Sequence, residues 1–340
     1  MRVVLPLLLL LASTLPAAAT GPVLHLAGET MGTTWSVQVA RPASHLDSRT
    51  LRHELATVVA DVDQRMSTYR PDSEISRFNA RRTRAWIPVS RDTRRVVAEA
   101  LRVSRLSAGA FDPTVAPLLD LWGFGAAGGA GDLPRPATLR ATRARVGWRA
   151  LDVAEGVVAL RKRRPDLEID LSAIAKGFGI DAMAEHLERR GVTDYLIEIG
   201  GELRGRGRGR HGTGWTVGIE LPHDASAVAA VVRLERAAVA TSGDYRKGAE
   251  VGGVRRPHVL DPRTGSPVRH ALASATVVAR TAMRADALAT ALLVLGPDDG
   301  WELARRERLA ALLVIRTSDG FEIRRTPDLS GHLLAGGGAS

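Results

Sequence analysis

Residues 172–201 read SAIAKGFGIDAMAEHLERRGVTDYLIEIGG. Positions 172–190 read as a helix ended by Gly191, and 195–199 as a short buried strand broken by Gly200-Gly201. The same mixture extends in both directions. Upstream, 34–40 (TWSVQVA) puts Trp35, Val37 and Val39 on one face of a half-buried strand. Leu51, Leu55, Val58, Val62 and Met66 follow helical spacing and predict an amphipathic helix over 47–66. A loop with Pro71-Asp72 follows, then a helix over 91–107 that stops at Gly109. A Gly- and Pro-rich loop is expected over 111–136, and a hairpin joins 151–153 to 157–160 through Glu155-Gly156. Downstream, 215–221 and 228–234 read as paired strands, 276–279 as another strand, and 283–295 as a helix stopped by Gly296-Pro297. Strands joined by turns and hairpins favour the α+β class over a regular parallel βαβ wind. No internal repeat is present. The tract 204–210 (RGRGRGR) predicts a flexible hairpin loop.

The chain has 340 residues, 45% apolar and 25% charged, enough to bury a sizeable core. Its net charge is +10, yet only Lys162, Lys176 and Lys247 among the 47 basic residues are lysines. The arginines are scattered, aromatics are 4%, and no basic stripe interleaves with them, which argues against a nucleic-acid partner. The absence of cysteine excludes disulfides, thiol nucleophiles, thiolate zinc sites and a lipidated N-terminal cysteine.

The first residues carry Arg2, an apolar run over 3–11 and the small residues Ala17-Ala18-Ala19. This pattern predicts a secretory signal peptide over 1–19, which leaves a mature chain over 20–334 and a frayed Gly/Ala tail over 335–340. The expected location is the periplasm. Membrane contact would come only through a membrane-bound partner or an uncleaved signal.

Several residues suit chemistry. The segment 170–179 (DLSAIAKGFG) follows an expected strand and opens a helix. Ser172 can cap that helix, leaving first-turn N–H groups to face an anion. Lys176 stands where the helix dipole disfavours a cation, which suggests a negative partner such as phosphate; an ordinary capped helix reads the same way. Asp286 and Thr290 share a helix face at i,i+4 and could offer oxygens to Mg2+, or could only solvate that face. His258 adjoins the turn Asp261-Pro262-Arg263-Thr264-Gly265, which would hold the neighbouring strand end rigidly, and a histidine beside such a turn is more often structural than catalytic. No Walker A loop, HExxH pair, Ser-His-Asp pattern or EF-hand loop is present. The inventory suits phosphate-ester chemistry with a divalent metal.

The ordered blocks 29–35 (ETMGTTW), 66–79 (MSTYRPDSEISRFN), 111–115 (FDPTV) with 121–125 (LWGFG), 170–177, 198–203 (EIGGEL), 240–245 (ATSGDY), 258–265 (HVLDPRTG) and 285–290 (ADALAT) resemble the FAD:protein FMN transferase (ApbE) family. The likeness covers about 24–320. It implies an α+β catalytic unit, in one lobe or two around a nucleotide cleft. It implies cleavage of FAD as substrate, release of AMP, and attachment of FMN by a phosphoester to a Thr or Ser of an exported acceptor protein. Met31, Ser67, Thr68, Tyr69, Asp112, Lys176 and His258 match the family's flavin-nucleotide positions. Ala173, through its carbonyl, and Asp286 and Thr290 match its Mg2+ positions. On that basis Lys176 and His258 are the catalytic candidates, with His258 taking the proton of the incoming hydroxyl. Two features depart from the pattern: the missing lipid-attachment cysteine and a long, basic Arg-Gly tract. An FAD pyrophosphatase and a non-enzymatic flavin-binding protein are the alternatives.

Overall fold

The computed structural model describes residues 22–334, apart from 45, 127, 129–132, 223, 245–247 and 252–253. The expected signal peptide (1–19) and tail (335–340) lie outside the described residues. One sheet of 8 strands organises the molecule: Val23–Thr30, Thr33–Ala40, Tyr195–Ile199, Glu202–Arg206, Arg236–Gly243, Leu272–Ala279, Ala310–Thr317 and Gly320–Arg325. They lie side by side in chain order, and each neighbouring pair is antiparallel. Helices occupy the insertions between strands, so the class is α+β, as the turn-joined strands predicted. At the centre, Gly200 and Gly201 turn the chain at φ of 60° and 102°, where a side chain would be strained.

Helices cover one face of the sheet. Ser172–Arg189 (the Lys176 helix) and Ala282–Leu295 (the Asp286 helix) pack on each other and on the central strands. Ser48–Met66 and Arg91–Leu106 flank them. The Asp286 helix is apolar nearly all round, which suits a helix buried on every side. The two central helices touch at Gly177, where a Cβ would lie 2.4 Å from the Ala282 carbonyl oxygen. The hairpin Trp215–Leu221 and Asp224–Leu234 covers the other face, with Trp215, Ile219 and Val232 packed on Val239, Val278 and Leu312. Each fully buried Leu, Ile or Val in these layers contributes roughly 1.5–3 kcal/mol relative to exposure.

The structure corrects several local expectations. The Ser48–Met66 helix buries Val59 rather than Val58, which lies at the edge of the inward stripe. The loop expected over 111–136 contains the helix Ala116–Leu121, and Pro136 opens the helix Pro136–Arg143. Proline suits a first helical turn, so it hid two helix starts among loop residues. The strand expected at 276–279 runs over Leu272–Ala279. Only 207–210 of the Arg-Gly tract lie in a loop: Arg204, Gly205 and Arg206 belong to a strand in mid-sheet. Gly205 there admits Leu234, whose Cβ would stand 2.8 Å from a Cβ on the glycine. Among the described residues no helix is long and apolar enough to cross a membrane.

Candidate functional site

A cleft of about 990 Å³ opens beside the two central helices. Met31, Ser67, Thr68, Tyr69, Asp112, Ala173, Lys176, His258, Asp286 and Thr290 all line it. The fold therefore gathers every candidate residue, from widely separated stretches of chain, around one volume.

The Lys176 helix begins at this cleft. Ser172 was expected to cap it, but the cap position is Leu171, and Asp170 Oδ1 accepts from the Ser172 N–H at 2.7 Å. A carboxylate is the better partner for a helix N-terminus because it carries full charge. Asp170 Oδ2 also accepts from the Thr68 hydroxyl at 3.1 Å, which ties the Ser67–Thr68–Tyr69 segment to the helix start. Lys176 was expected to answer an external anion. Within the chain it already has anions: Nζ lies 3.3 Å from Glu202 Oε1 and 4.0 Å from Asp286 Oδ1.

Asp286 is 2% exposed, and its Oδ2 accepts from the Gly177 N–H at 3.1 Å. In a regular helix that N–H belongs to the Ala173 carbonyl, four residues back. Asp286 Oδ2 therefore competes with the Ala173 carbonyl for that donor. Thr290, one turn after Asp286, has its hydroxyl oxygen 3.0 Å from that of Ser242. Carboxylate, hydroxyl and carbonyl oxygens form a hard donor set. Among the described residues no group of three or more His, Cys, Asp or Glu is gathered. A set with few protein carboxylates fits Mg2+, which keeps waters and takes substrate phosphates.

The remaining candidates shape the walls. Both oxygens of Asp112 are engaged: Oδ1 accepts from the Thr114 N–H and hydroxyl at 2.8 and 2.6 Å, and Oδ2 from the Trp148 N–H at 2.9 Å. Burial raises its pKa against those bonds. Tyr69 is 67% exposed, with its hydroxyl 3.5 Å from the Phe124 carbonyl. Met31 turns the first two strands at φ 48°, an unfavourable conformation for a side-chain-bearing residue. His258 precedes a braced turn: Gly265 N–H donates to the Asp261 carbonyl at 2.7 Å, Arg263 holds the Asp261 carboxylate at 2.9 Å, and Trp122 Nε1 donates to the Gly265 carbonyl at 2.8 Å. The rigid turn predicted beside His258 is present.

The model of the ApbE family matches residues 31–313. This chain belongs to the ApbE family. The FAD:protein FMN transferase of Vibrio cholerae serotype O1 is 42% identical to it over 286 residues, covering 84% of this chain and 85% of the relative. That of Haemophilus influenzae is 42% identical over 294 residues, 85% of each. Among solved structures, the flavin transferase ApbE from Vibrio cholerae has a TM-score of 0.84 at 39% identity, over 92% of this chain and 100% of that one. The apo form of the flavinyl transferase ApbE from Pseudomonas stutzeri has a TM-score of 0.83 at 38% identity, over 91% and 96%. The resemblance drawn from the ordered blocks was correct.

Two acids in this ApbE-family chain were not singled out from the sequence. Glu202 lines the cleft at 6% exposure, and burial, opposed by Lys176, pushes its carboxyl up to about 7. Its place directly after the Gly200-Gly201 turn and its place inside the family-like block 198–203 were the available signals. Asp181 is fully buried on the Lys176 helix and had no signal beyond an acid at an inward helical position.

Proposed function

We infer that this ApbE-family chain is an FAD:protein FMN transferase that works from the cleft between the Lys176 and Asp286 helices and the 67–69 segment. The convergence of ten family-matched positions on that cleft, in a chain similar to such transferases over most of its length, carries the reading. FAD is the substrate. Met31 and Tyr69 contact the flavin, a thioether and a ring suiting a flat aromatic ligand. Ser67, Thr68 and Asp112 shape its binding surface. Asp286, Thr290 and the Ala173 carbonyl would hold Mg2+, which when bound neutralises charge developing on the phosphate oxygens. Lys176 adds a positive charge beside the pyrophosphate. His258 takes the proton of an acceptor Thr or Ser hydroxyl as that oxygen bonds to the FMN phosphorus. The pyrophosphate P–O bond breaks, and AMP leaves with its electron pair. The reading includes export of a mature chain over 20–334 to the periplasm, where its acceptor would be; the leader-like pattern at 1–19 supports it.

The test is to incubate the purified protein with FAD, Mg2+ and candidate exported acceptors, and to follow AMP and flavin fluorescence on denatured protein. AMP together with a fluorescent acceptor band is the expected result. AMP without the band would make the protein an FAD pyrophosphatase. Neither, despite bound FAD, would make it a flavin-binding protein.

A further inference from the structure

The Arg-Gly tract has a place in the sheet but no part in the chemistry above. Its first residue, Arg204, points from its strand to Asp181 on the Lys176 helix, Nη1 to Oδ1 at 2.5 Å. The Asp181 carboxylate receives two further donors. The Ala282 N–H lies 3.0 Å from Oδ1 and the Met283 N–H 3.0 Å from Oδ2. These residues open the Asp286 helix. The Arg284 and Ala285 N–H groups go to the Thr281 hydroxyl at 3.4 Å and carbonyl at 3.1 Å. The three first-turn N–H groups that lack an intrahelical acceptor, those of Ala282, Met283 and Arg284, are thus satisfied, two of them by an acid from the neighbouring helix. Neither Asp181 nor Arg204 lines the cleft.

The location gives this contact its consequence. Asp181 stands one turn beyond Gly177, where the two helix backbones touch. Ala282 stands one turn before Asp286. The Asp286 helix presents mostly alanine and leucine to its neighbours, and such surfaces resist sliding weakly. A buried carboxylate behaves otherwise. It is costly unless its donors are in place, so its bonds select one axial register. Arg204 compensates the charge and ties both helices to the strand that begins at Glu202. Its second nitrogen reaches toward Glu188, 3.7 Å away, which Arg206 also holds at 2.9 Å.

We propose that Asp181, held by Arg204, is a positioning residue that sets the register of the Asp286 helix against the Lys176 helix, and through it the spacing of the Ala173, Asp286 and Thr290 oxygens offered to a divalent cation. The proposal rests on the metal reading given under Proposed function.

The test uses Mn2+ alone as probe. Free Mn2+ is measured by electron paramagnetic resonance over the full chain and its variants, at a temperature where circular dichroism shows each folded. Asp181→Asn turns one acceptor into an N–H facing a backbone N–H. It should weaken Mn2+ binding about tenfold or more, the scale of outer-shell partners. FAD binding without metal should stay unchanged. Arg204→Met should weaken Mn2+ binding in the same way, and Arg204→Lys, which keeps the charge, should recover most of the loss. Asp286→Asn is the control. Wild-type Mn2+ affinity in folded Asp181→Asn and Arg204→Met, with loss in Asp286→Asn, overturns the positioning proposal and leaves the metal reading standing. Wild-type affinity in Asp286→Asn overturns the metal reading, and this proposal with it. Should Asp181→Asn not fold, the two Arg204 variants decide by the same criterion.

Discussion

Glu202 Oε1 lies 3.3 Å from Lys176 Nζ, while Glu202 Oε2 is buried with no hydrogen-bond partner. Half of this carboxylate is answered by a cation and half is not, which is why burial outweighs the lysine and raises its pKa to about 7 from an ordinary 4.5. Between those values the folded chain keeps a proton that the unfolded chain has released. Stability attributable to Glu202 must then fall as pH rises through that window, and level off above it. Urea denaturation of wild type and Glu202→Gln across the window is the measurement. Wild type should lose stability relative to the variant as pH rises; a constant difference would refute the assignment.

Gly177→Ala should destabilise the protein by about 1–3 kcal/mol, the usual range for overpacking. The new Cβ would meet the Ala282 carbonyl at 2.4 Å and Met283 Cα at 2.7 Å, both backbone atoms that cannot rotate away. Denaturation midpoints against wild type decide it, and an unchanged midpoint would mean the helices separate without cost.

Asp286→Ala should abolish metal-dependent turnover while the circular dichroism spectrum persists. Asp286→Asn, a milder loss, should be partly rescued by excess Mg2+, because a missing ligand first lowers affinity. Full turnover by folded Asp286→Ala would remove Asp286 from the metal site.

His258→Ala and Lys176→Ala should separate kinetically. Loss of a general base costs about 10²–10⁴ in rate and affects FAD affinity much less. Lys176→Ala should weaken both, since a cation beside phosphate acts in ground and transition states alike. The role is falsified if saturating FAD restores the whole His258→Ala defect.

The protein recovered from its native host should begin near Thr20. Intact-mass measurement checks this, and a membrane-bound species retaining 1–19 would instead make the first residues an anchor.

Most of what could be read from the residue pattern was local. Helical spacing and glycine stops located the helices that became Ser48–Met66, Arg91–Leu106, Ser172–Arg189 and Ala282–Leu295. Turn signals set the α+β class, and ordered blocks pointed to the family and to the residues that line the cleft. Strands were legible where one face was buried, as at Trp35, Val37 and Val39. They were missed where that alternation fails: Ala310–Thr317 is buried on both faces along most of its length, and the first strand, Val23–Thr30, has a single buried residue, Leu26. Only tertiary structure could decide the rest. The carboxylate neighbours of Lys176 could not be read from its own segment because they arrive from a strand and from another helix. Arg204 read as part of a flexible tract because Asp181 lies 23 residues earlier, and Asp181 in turn finds its backbone donors 101 and 102 residues later. Periodicity reports the face a residue presents, whereas an ion pair or a helix cap made across the fold depends on which distant segment the packing brings to that face.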